Sequence, residues 1–400
     1  MRYLLIFFIS AFFAGNLYCE TVNTKVENNC FPKVYQFIND RSYEEAIRIL
    51  EEEIPSLSQP DYLGEAYFSL AYSHDQLGRP LKAIGYYMLS TEHYEKPVCI
   101  SNALENIGLI YKRFNQHEQA IFYFSKALHY DQGETKGRMK RLYRRATALR
   151  RSDRISLAID DLLEAEAIAY ELKQEDFRAK IYNQLGLLYK FKGDLGKARS
   201  YYYLALQIAE TGDIYHNFGN LKMELGDSLG AEKYYLKAIE MASGQTLINV
   251  TMDLGELYYL RGKQQQAEHY LLQAATYFNA GADVTFDHVR LFKLLADVVE
   301  DTELATEYRE KAIEEYEKFG ANLLKSNELF FGAVAEQKIK NLEIKRDIRE
   351  TTKDHLMVFI ALSILLLIAI VWLLLRIRRG IKDKRIRRAF KDIENVLYEE

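Results

Sequence analysis

A spacing of small and aromatic residues recurs along this chain and limits its fold more than any other feature of the sequence. In the stretch LGLLYKFKGDLGKARSYYYLAL, which begins at Leu185, a glycine precedes Ala198 by twelve residues and a tyrosine follows it by four. The pattern is strong in six central units and fades towards both ends. Its equivalent alanines lie 33 to 40 residues apart, at Ala46, Ala83, Ala120, Ala158, Ala198, Ala231, Ala267 and Ala305.

Each unit predicts two amphipathic helices, because its apolar residues lie three or four positions apart. We expect Gly186 and Ala198 where the two helices cross closely, with aromatic side chains filling the space beside them. Gly193, in the sequence KGD, is expected to end the first helix. A single pair of helices cannot bury its apolar face, so successive pairs must stack. The chain is therefore predicted to be all-α, and most of its 30 tyrosines are predicted to fill the spaces between helices.

The pattern resembles the tetratricopeptide repeat, whose motif is W-x₂-L-G-x₂-Y…A-x₃-F. Here the positions read Tyr182-x₂-Leu185-Gly186-x₂-Tyr189, followed by Ala198-x₃-Tyr202. The resemblance covers residues 33–318 and implies a solenoid of seven to eight helix pairs. This chain departs from the motif in three ways: most units are longer than 34 residues, Tyr or Leu replaces the opening tryptophan, and the closing proline is mostly missing.

The first residues, MRYLLIFFISAFFAGNLYCE, have the organisation of a secretory signal peptide: one positive charge, an apolar run and then small residues. We predict a signal over residues 1–19, with Gly15 and Cys19 as alternative cleavage positions, followed by an N-terminal arm over residues 20–32. A lipidated Cys19 and an uncleaved anchor are the alternatives, and the bulky Tyr18 argues against lipidation.

A second apolar segment, the twenty uncharged residues from Leu356 to Leu375, is long enough to cross a lipid bilayer as a helix. Nine Lys and Arg residues lie in the twenty positions after it and six in the twenty before it. This bias predicts a cytoplasmic tail over residues 376–400 and an extracytoplasmic N-terminal part, which would be periplasmic in a Gram-negative bacterium. The charged residues 319–355 are predicted to form a juxtamembrane helix. A thin apolar stripe there suggests self-association through a weak coiled coil, at Ile339, Leu342, Ile344 and Ile348.

The charge is divided unevenly between the two sides of this segment. Residues 20–375 contain 43 basic and 52 acidic residues, whereas the tail has nine basic and five acidic residues. The excess of acidic residues in 20–375 argues against nucleic-acid binding by the predicted extracytoplasmic domain, the ectodomain. The basic tail is suited to contact with anionic lipid.

The sequence carries no catalytic signature. Neither H-E-x-x-H, G-x-S-x-G nor a P-loop occurs, and the 8 histidines are scattered without ligand spacing. We therefore predict that the chain is not an enzyme and that it uses no cofactor or metal.

The resemblance also implies a concave groove lined by the first helix of each unit. Eight basic residues between Arg138 and Arg154 fall in the middle of this groove, which suggests an anionic protein or peptide partner. The alternative is that this charge run is an ordinary solvated face. The carboxylate-binding set of some tetratricopeptide proteins is not reproduced residue by residue. The predicted groove residues are Asn102, Glu105, Lys112, Lys140, Tyr143, Arg144, Arg150, Lys180, Asn183 and Lys190.

The order of segments resembles that of bacterial membrane regulators in which a periplasmic repeat region precedes a cytoplasmic output domain. We expect the 25 residues after the apolar segment to be too few for such an output domain. We therefore expect a membrane-anchored scaffold that binds a protein or peptide, or alternatively a signalling component that relays ligand occupancy to a cytoplasmic partner. A cytoplasmic repeat domain on a tail anchor would follow if the first twenty residues were not a signal.

Overall fold

The computed structural model describes residues 31–131, 135–278 and 286–321. Within these ranges the chain forms sixteen α-helices and no β-strand, which confirms the all-α prediction. The helices are α1 Pro32–Asn39, α2 Tyr43–Glu53, α3 Pro60–Gln76, α4 Pro80–His93, α5 Pro97–Arg113, α6 His117–Tyr130, α7 Lys136–Arg151, α8 Ile155–Glu171, α9 Glu175–Phe191, α10 Leu195–Ile208, α11 Gly212–Glu224, α12 Ser228–Met241, α13 Gly244–Leu260, α14 Gln264–Phe278, α15 Phe286–Val298 and α16 302–321.

Consecutive helices associate as pairs, and the pairs stack in chain order. The strongest helix contacts are those within the pairs, such as α5 with α6 and α9 with α10. Each second helix then contacts the first helix of the next pair. The described residues thus form a solenoid of eight helix pairs, which we call units 1 to 8, from α1–α2 to α15–α16, and this agrees with the predicted seven to eight helix pairs.

The turn inside each of units 1 to 7 includes a residue in the left-handed backbone conformation. Gly193 adopts φ 81° at the end of α9, as the sequence predicted. Units 3 and 4 use Asn115 and Asp153, both at φ 57°, where the other central units have glycine. Among residues with a Cβ atom, Asn and Asp tolerate this conformation best, so the turn is kept without glycine. The remaining glycines in this position are Gly78, Gly226 and Gly262.

The core of the solenoid contains aromatic residues that face glycine across the helix pairs of units 3, 5 and 6. Phe124 and Tyr202 are fully buried, and Tyr235 nearly so. These rings face Gly108, Gly186 and Gly219 respectively. The expected packing of aromatics beside glycine is therefore confirmed. Some tyrosines do not fill the core, since Tyr170 and Tyr203 are exposed.

Several predicted segments lie outside the described residues. These are the signal over 1–19, most of the N-terminal arm over 20–32, nearly all of the juxtamembrane helix over 319–355, the apolar segment 356–375 and the tail 376–400. Among the helices that the structure does describe, none combines the length and the apolar character needed to cross a membrane.

Candidate peptide-binding groove

The first helices of successive units line the inner face of the solenoid. Helix α9 contacts α11, α11 contacts α13, and α13 contacts α15. Within the described residues no two second helices make a comparably extensive contact. The first helices are therefore closer together than the second helices, as on the concave side of a curved solenoid.

Polar side chains connect the first helices across this inner face. The amide of Asn217 donates to Asn183 Oδ1 at 3.0 Å, joining units 5 and 6. His216 Nε2 lies 2.7 Å from Asp253 Oδ2, joining units 6 and 7. Asn183, one of the predicted groove residues, is consequently buried in a contact between units.

A buried ionic network joins units 3 and 4. Arg141, only 1% exposed, lies with its Nε 2.9 Å from Glu105 Oε2 and its Nη1 2.6 Å from Asp131 Oδ1. It also donates to Asn102 Oδ1, and Arg144 forms an ion pair with Glu105. Three of the predicted groove residues, Asn102, Glu105 and Arg144, are thus engaged with partners inside the protein.

Burial lowers the pKa of Arg141, and the adjacent Asp131 carboxylate opposes that effect. Burial also lowers the pKa of Arg144. A buried guanidinium is tolerated only when acidic and polar groups surround it. Arg141 was absent from the predicted set, because a run of basic residues is most simply interpreted as solvated.

A series of ion pairs runs along the edge of the solenoid where each first helix turns into the second. One pair crosses each of the junctions between units 1 and 2, 2 and 3, 3 and 4, and 5 and 6. Exposed pairs of this kind contribute little to stability individually, but they balance charge along the edge. The pairs are Arg79 with Glu44 (2.6 Å), Arg113 with Asp75, Arg154 with Glu118 (2.7 Å) and Lys190 with Glu224 (2.7 Å).

At the junction of units 4 and 5 this series is interrupted. Among the described residues no ion pair crosses the turn edge there, and the Arg178–Glu166 pair of these two units lies near the opposite end of α9. Arg150 and Arg151, at the end of α7 beside this junction, lie near Lys112 of unit 3, and within the described part of the chain none of the three forms an ion pair. We call these three residues the basic cluster. The Nε of Arg150 is buried and has no hydrogen-bond partner in the described part of the chain.

The electrostatics of the basic cluster are unfavourable in the unliganded protein. Burial lowers the pKa of Lys112, and the charges of Arg150 and Arg151 lower it further. Burial also lowers the pKa of Arg150, Arg151 adds to the effect, and Tyr143 opposes it. The pKa of the neighbouring His117 is lowered by burial and then by the three cluster residues. The surroundings of the cluster therefore disfavour the positive charge that it carries.

An exposed aromatic ring lies beside the basic cluster. Phe191, the last residue of α9, is 58% exposed. The guanidinium carbon of Arg150 lies 5.9 Å from the ring centroid, and the ammonium nitrogen of Lys190 lies 5.6 Å from it. The predicted set did not include Phe191. Its position directly after Lys190, at the end of a first helix, is the signal that could have identified it.

The remaining predicted residues are spread along the first helices. Tyr143 is half-buried with its ring 5.3 Å from that of Phe177, and burial raises its pKa. Lys140 is half-buried and Lys180 is exposed. The structure therefore brings Lys112, Arg150 and Tyr143 together, whereas Lys180 lies apart from this group on α9. No group of three or more His, Cys, Asp or Glu side chains suited to a metal occurs among the described residues.

Comparison with known proteins identifies the repeat. The family model described as "Tetratricopeptide repeat" matches residues 101–133, 179–211 and 212–245. No curated protein matches the chain.

Solved structures similar to this chain support the fold. The apo form of RapI superposes with a TM-score of 0.58 at 17% identity, over 74% of this chain and 89% of that one. A tetratricopeptide repeat protein from Parabacteroides merdae ATCC 43184 superposes with a TM-score of 0.50 at 14% identity, over 70% of this chain and 96% of that one. At these identities the similarity concerns the solenoid fold alone.

Proposed function

We propose that this tetratricopeptide-repeat protein is a scaffold that binds an acidic segment of a partner protein at the basic cluster of Lys112, Arg150 and Arg151. The observation that carries the proposal is the interrupted series of ion pairs along the turn edge. Along this edge four junctions between units carry an ion pair, whereas among the described residues the edge at units 4 and 5 carries none. A carboxylate from a partner would supply the missing charge.

The chemistry of the cluster favours an anionic ligand. Besides burial, the charges of Arg150 and Arg151 lower the pKa of Lys112, and the charge of Arg151 lowers the pKa of Arg150. An acidic side chain would relieve this repulsion and would accept the hydrogen bond that the buried Nε of Arg150 does not make within the protein. Hydrogen bonds between charged partners are about twice as strong as neutral ones.

The other concentration of basic residues in the groove is a poorer site. Arg141 and Arg144 are already paired with Glu105 and Asp131. A ligand carboxylate would have to displace these buried partners, which would leave acidic groups unpaired in the interior. The basic cluster needs no such displacement.

The proposal includes a location at a membrane. In it, residues 1–19 export the chain, the apolar segment 356–375 anchors it to the lipid bilayer, and the solenoid is extracytoplasmic. The uncharged twenty-residue segment and the excess of Lys and Arg after it support this topology. A reporter enzyme that works only outside the cytoplasm, fused after Asn322, should be active. An inactive reporter would contradict the topology without affecting the proposed ligand.

The alternative function is signalling, in which occupancy of the groove is relayed through residues 319–355 to the tail. The tail carries apolar residues at helical spacing, Ile386, Phe390, Ile393 and Leu397, which a cytoplasmic partner could bind. Replacing residues 376–400 with an unrelated basic sequence separates the two functions. If the protein is a scaffold, cells that carry the exchanged tail should behave like those with the unmodified protein. If it relays a signal, the exchange should abolish the function of the protein in the cell.

The acidic-segment proposal is tested with the full-length chain and a labelled octaglutamate peptide whose C-terminus is amidated, so that no terminal carboxylate is present. Fluorescence anisotropy at low salt should show binding, with octaglutamine as the neutral control. We expect Arg150→Glu to weaken binding by about 100-fold, because an attraction becomes a repulsion. The matched control is Arg199→Glu, which changes an exposed arginine on α10 outside the cluster.

Two results would contradict the proposal. One is a failure of octaglutamate to bind the unmodified chain. The other is equal weakening by Arg150→Glu and Arg199→Glu, which would mean that the peptide responds only to the net charge of the protein.

A further inference from the structure

The aromatic ring of Phe191 extends the basic cluster into a composite surface. The two cations that contact its ring, on Arg150 and Lys190, come from units 4 and 5. Such contacts hold a cation near one part of the ring and leave the rest available. With more than half of the side chain exposed, Phe191 offers apolar surface immediately beside the unpaired charges.

A second apolar side chain continues this surface into unit 6. The ion pair between Lys190 and Glu224 holds the ends of α9 and α11 together at 2.7 Å. Phe191 directly follows Lys190, and Leu225 directly follows Glu224. Leu225 is 45% exposed, and Leu229 in the next helix is 68% exposed. The turn edge is therefore basic in units 3 and 4 and apolar in units 5 and 6.

We infer that the acidic segment carries a large apolar side chain one or two residues from an acidic one, and that Phe191 selects for it. This inference rests on the proposed binding of an acidic segment. The spacing follows from geometry, because Arg150 lies 5.9 Å from the Phe191 ring and consecutive Cα atoms of a peptide are about 3.8 Å apart. An acidic side chain on Arg150 places its near neighbours over Phe191.

Two properties of the surface favour an apolar side chain over Phe191 rather than another acidic one. Contact with Phe191 removes apolar area of both partners from water. In addition, a carboxylate above the ring face would be repelled by its negative quadrupole, whereas the edge contacts of apolar and aromatic groups are favourable. Phe191 is thus a specificity-determining residue that acts beside the charged contacts.

The inference is tested by comparing peptides of equal charge against the full-length chain in fluorescence anisotropy. The probes are EEESEEEE, EEEFEEEE and EEEEEEESGSGF, all amidated, and the phenylalanine of the third lies well away from its acids. We expect EEEFEEEE to bind about ten-fold more tightly than EEESEEEE, because one aromatic side chain is partly buried. The peptide with the distant phenylalanine should bind no better than EEESEEEE.

Variants of the protein assign this preference to one residue. Phe191→Ser should abolish the advantage of EEEFEEEE while EEESEEEE still binds, and Phe191→Leu should keep most of it. Leu272→Ser is the matched control, because Leu272 is similarly exposed but lies on α14. Equal affinities for EEESEEEE and EEEFEEEE would overturn the inference and leave the acidic site intact, as would an advantage that survives in Phe191→Ser. A failure of EEESEEEE and octaglutamate to bind would instead contradict the proposed function itself.

Discussion

Gly186 and Tyr202 face each other across the two helices of unit 5, so closely that a Cβ atom on Gly186 would lie 2.6 Å from two carbons of the Tyr202 ring. The same relation joins Gly219 to Tyr235 and Gly108 to Phe124, at 2.5 and 2.7 Å. In each case the ring is buried. A methyl group at the glycine would therefore have to displace a packed ring or the helix that carries it.

Gly186→Ala should destabilise the solenoid by about 1–3 kcal/mol, the usual cost of overfilling a tightly packed core. Urea unfolding followed by helical circular dichroism would measure this change. Gly196→Ala is the control, because its Cβ would meet nothing closer than 3.7 Å and its backbone has an ordinary helical conformation. That variant should be neutral or slightly stabilising, since alanine favours the helix. Equal effects of the two substitutions would contradict the role of the Gly186–Tyr202 contact.

Arg141→Met should lower the free energy of unfolding more than Gly186→Ala does. The substitution removes the cation that lies between Glu105 and Asp131 and leaves acidic groups buried with fewer partners. Breaking one side of a buried ionic group typically costs about 3–5 kcal/mol. Urea unfolding would again report the loss, and adding Asp131→Asn should recover part of it by removing the unpaired charge. Arg199→Met, on an exposed site, should change stability by no more than about 0.5 kcal/mol.

The contrast between these two contacts shows how much the sequence could predict. Gly186 and Tyr202 lie sixteen residues apart within one unit, at positions that recur along the chain, so local spacing predicted both the helix pair and its close crossing. Arg141 finds its partners Asp131, Glu105 and Asn102 at 10, 36 and 39 residues away, the last two on α5 of the preceding unit. Although two of these separations are close to one repeat length, nothing in the sequence distinguishes Arg141 from the other basic residues of its run, and its burial becomes evident only when the neighbouring unit is in place.

The candidate site, too, could be predicted from the sequence only in part. The repeat register predicted that Lys112 and Arg150 would face the groove, because they occupy equivalent positions in successive first helices. It could not predict that Glu105 and Lys190 would be neutralised by Arg141 and Glu224, since those pairs depend on side chains from adjacent units. The function of the basic cluster rests on which charges remain after such pairing, and that requires the folded structure.

Acidification should destabilise unit 2 through His74. This ring is buried, stacks on Tyr86 at 5.3 Å and lacks hydrogen-bond partners in the described part of the chain. Burial lowers the pKa of His74 to about 4, and the charges of Lys82 and Arg79 contribute. The folded state then binds fewer protons than the unfolded state between the ordinary histidine pKa near 6.5 and about 4. Stability is therefore complete above that window and falls as the pH drops through it.

The corresponding loss should be on the order of 3 kcal/mol by pH 4. His74→Phe keeps an aromatic ring against Tyr86 and removes the titration. Melting temperatures measured from pH 7 to pH 4 should therefore diverge, with the unmodified chain declining more steeply than the variant. Parallel curves would show that His74 does not titrate in this range.

Arg151→Glu should stabilise the protein while lowering its affinity for the acidic ligand. The substitution places a carboxylate beside Lys112 and Arg150 at the end of α7, where none of the three cluster residues forms an ion pair within the described part of the chain. Exposed ion pairs are worth up to about 1 kcal/mol, so a small rise in melting temperature is expected at low ionic strength. The rise should shrink in 1 M salt, where such charges are screened over about 3 Å.

Octaglutamate binding should fall in the same variant, because the new side chain pairs with the cations that the ligand needs. A variant that loses stability, or one that gains it and still binds octaglutamate fully, would show that the cluster is not held in an unbalanced state for a ligand.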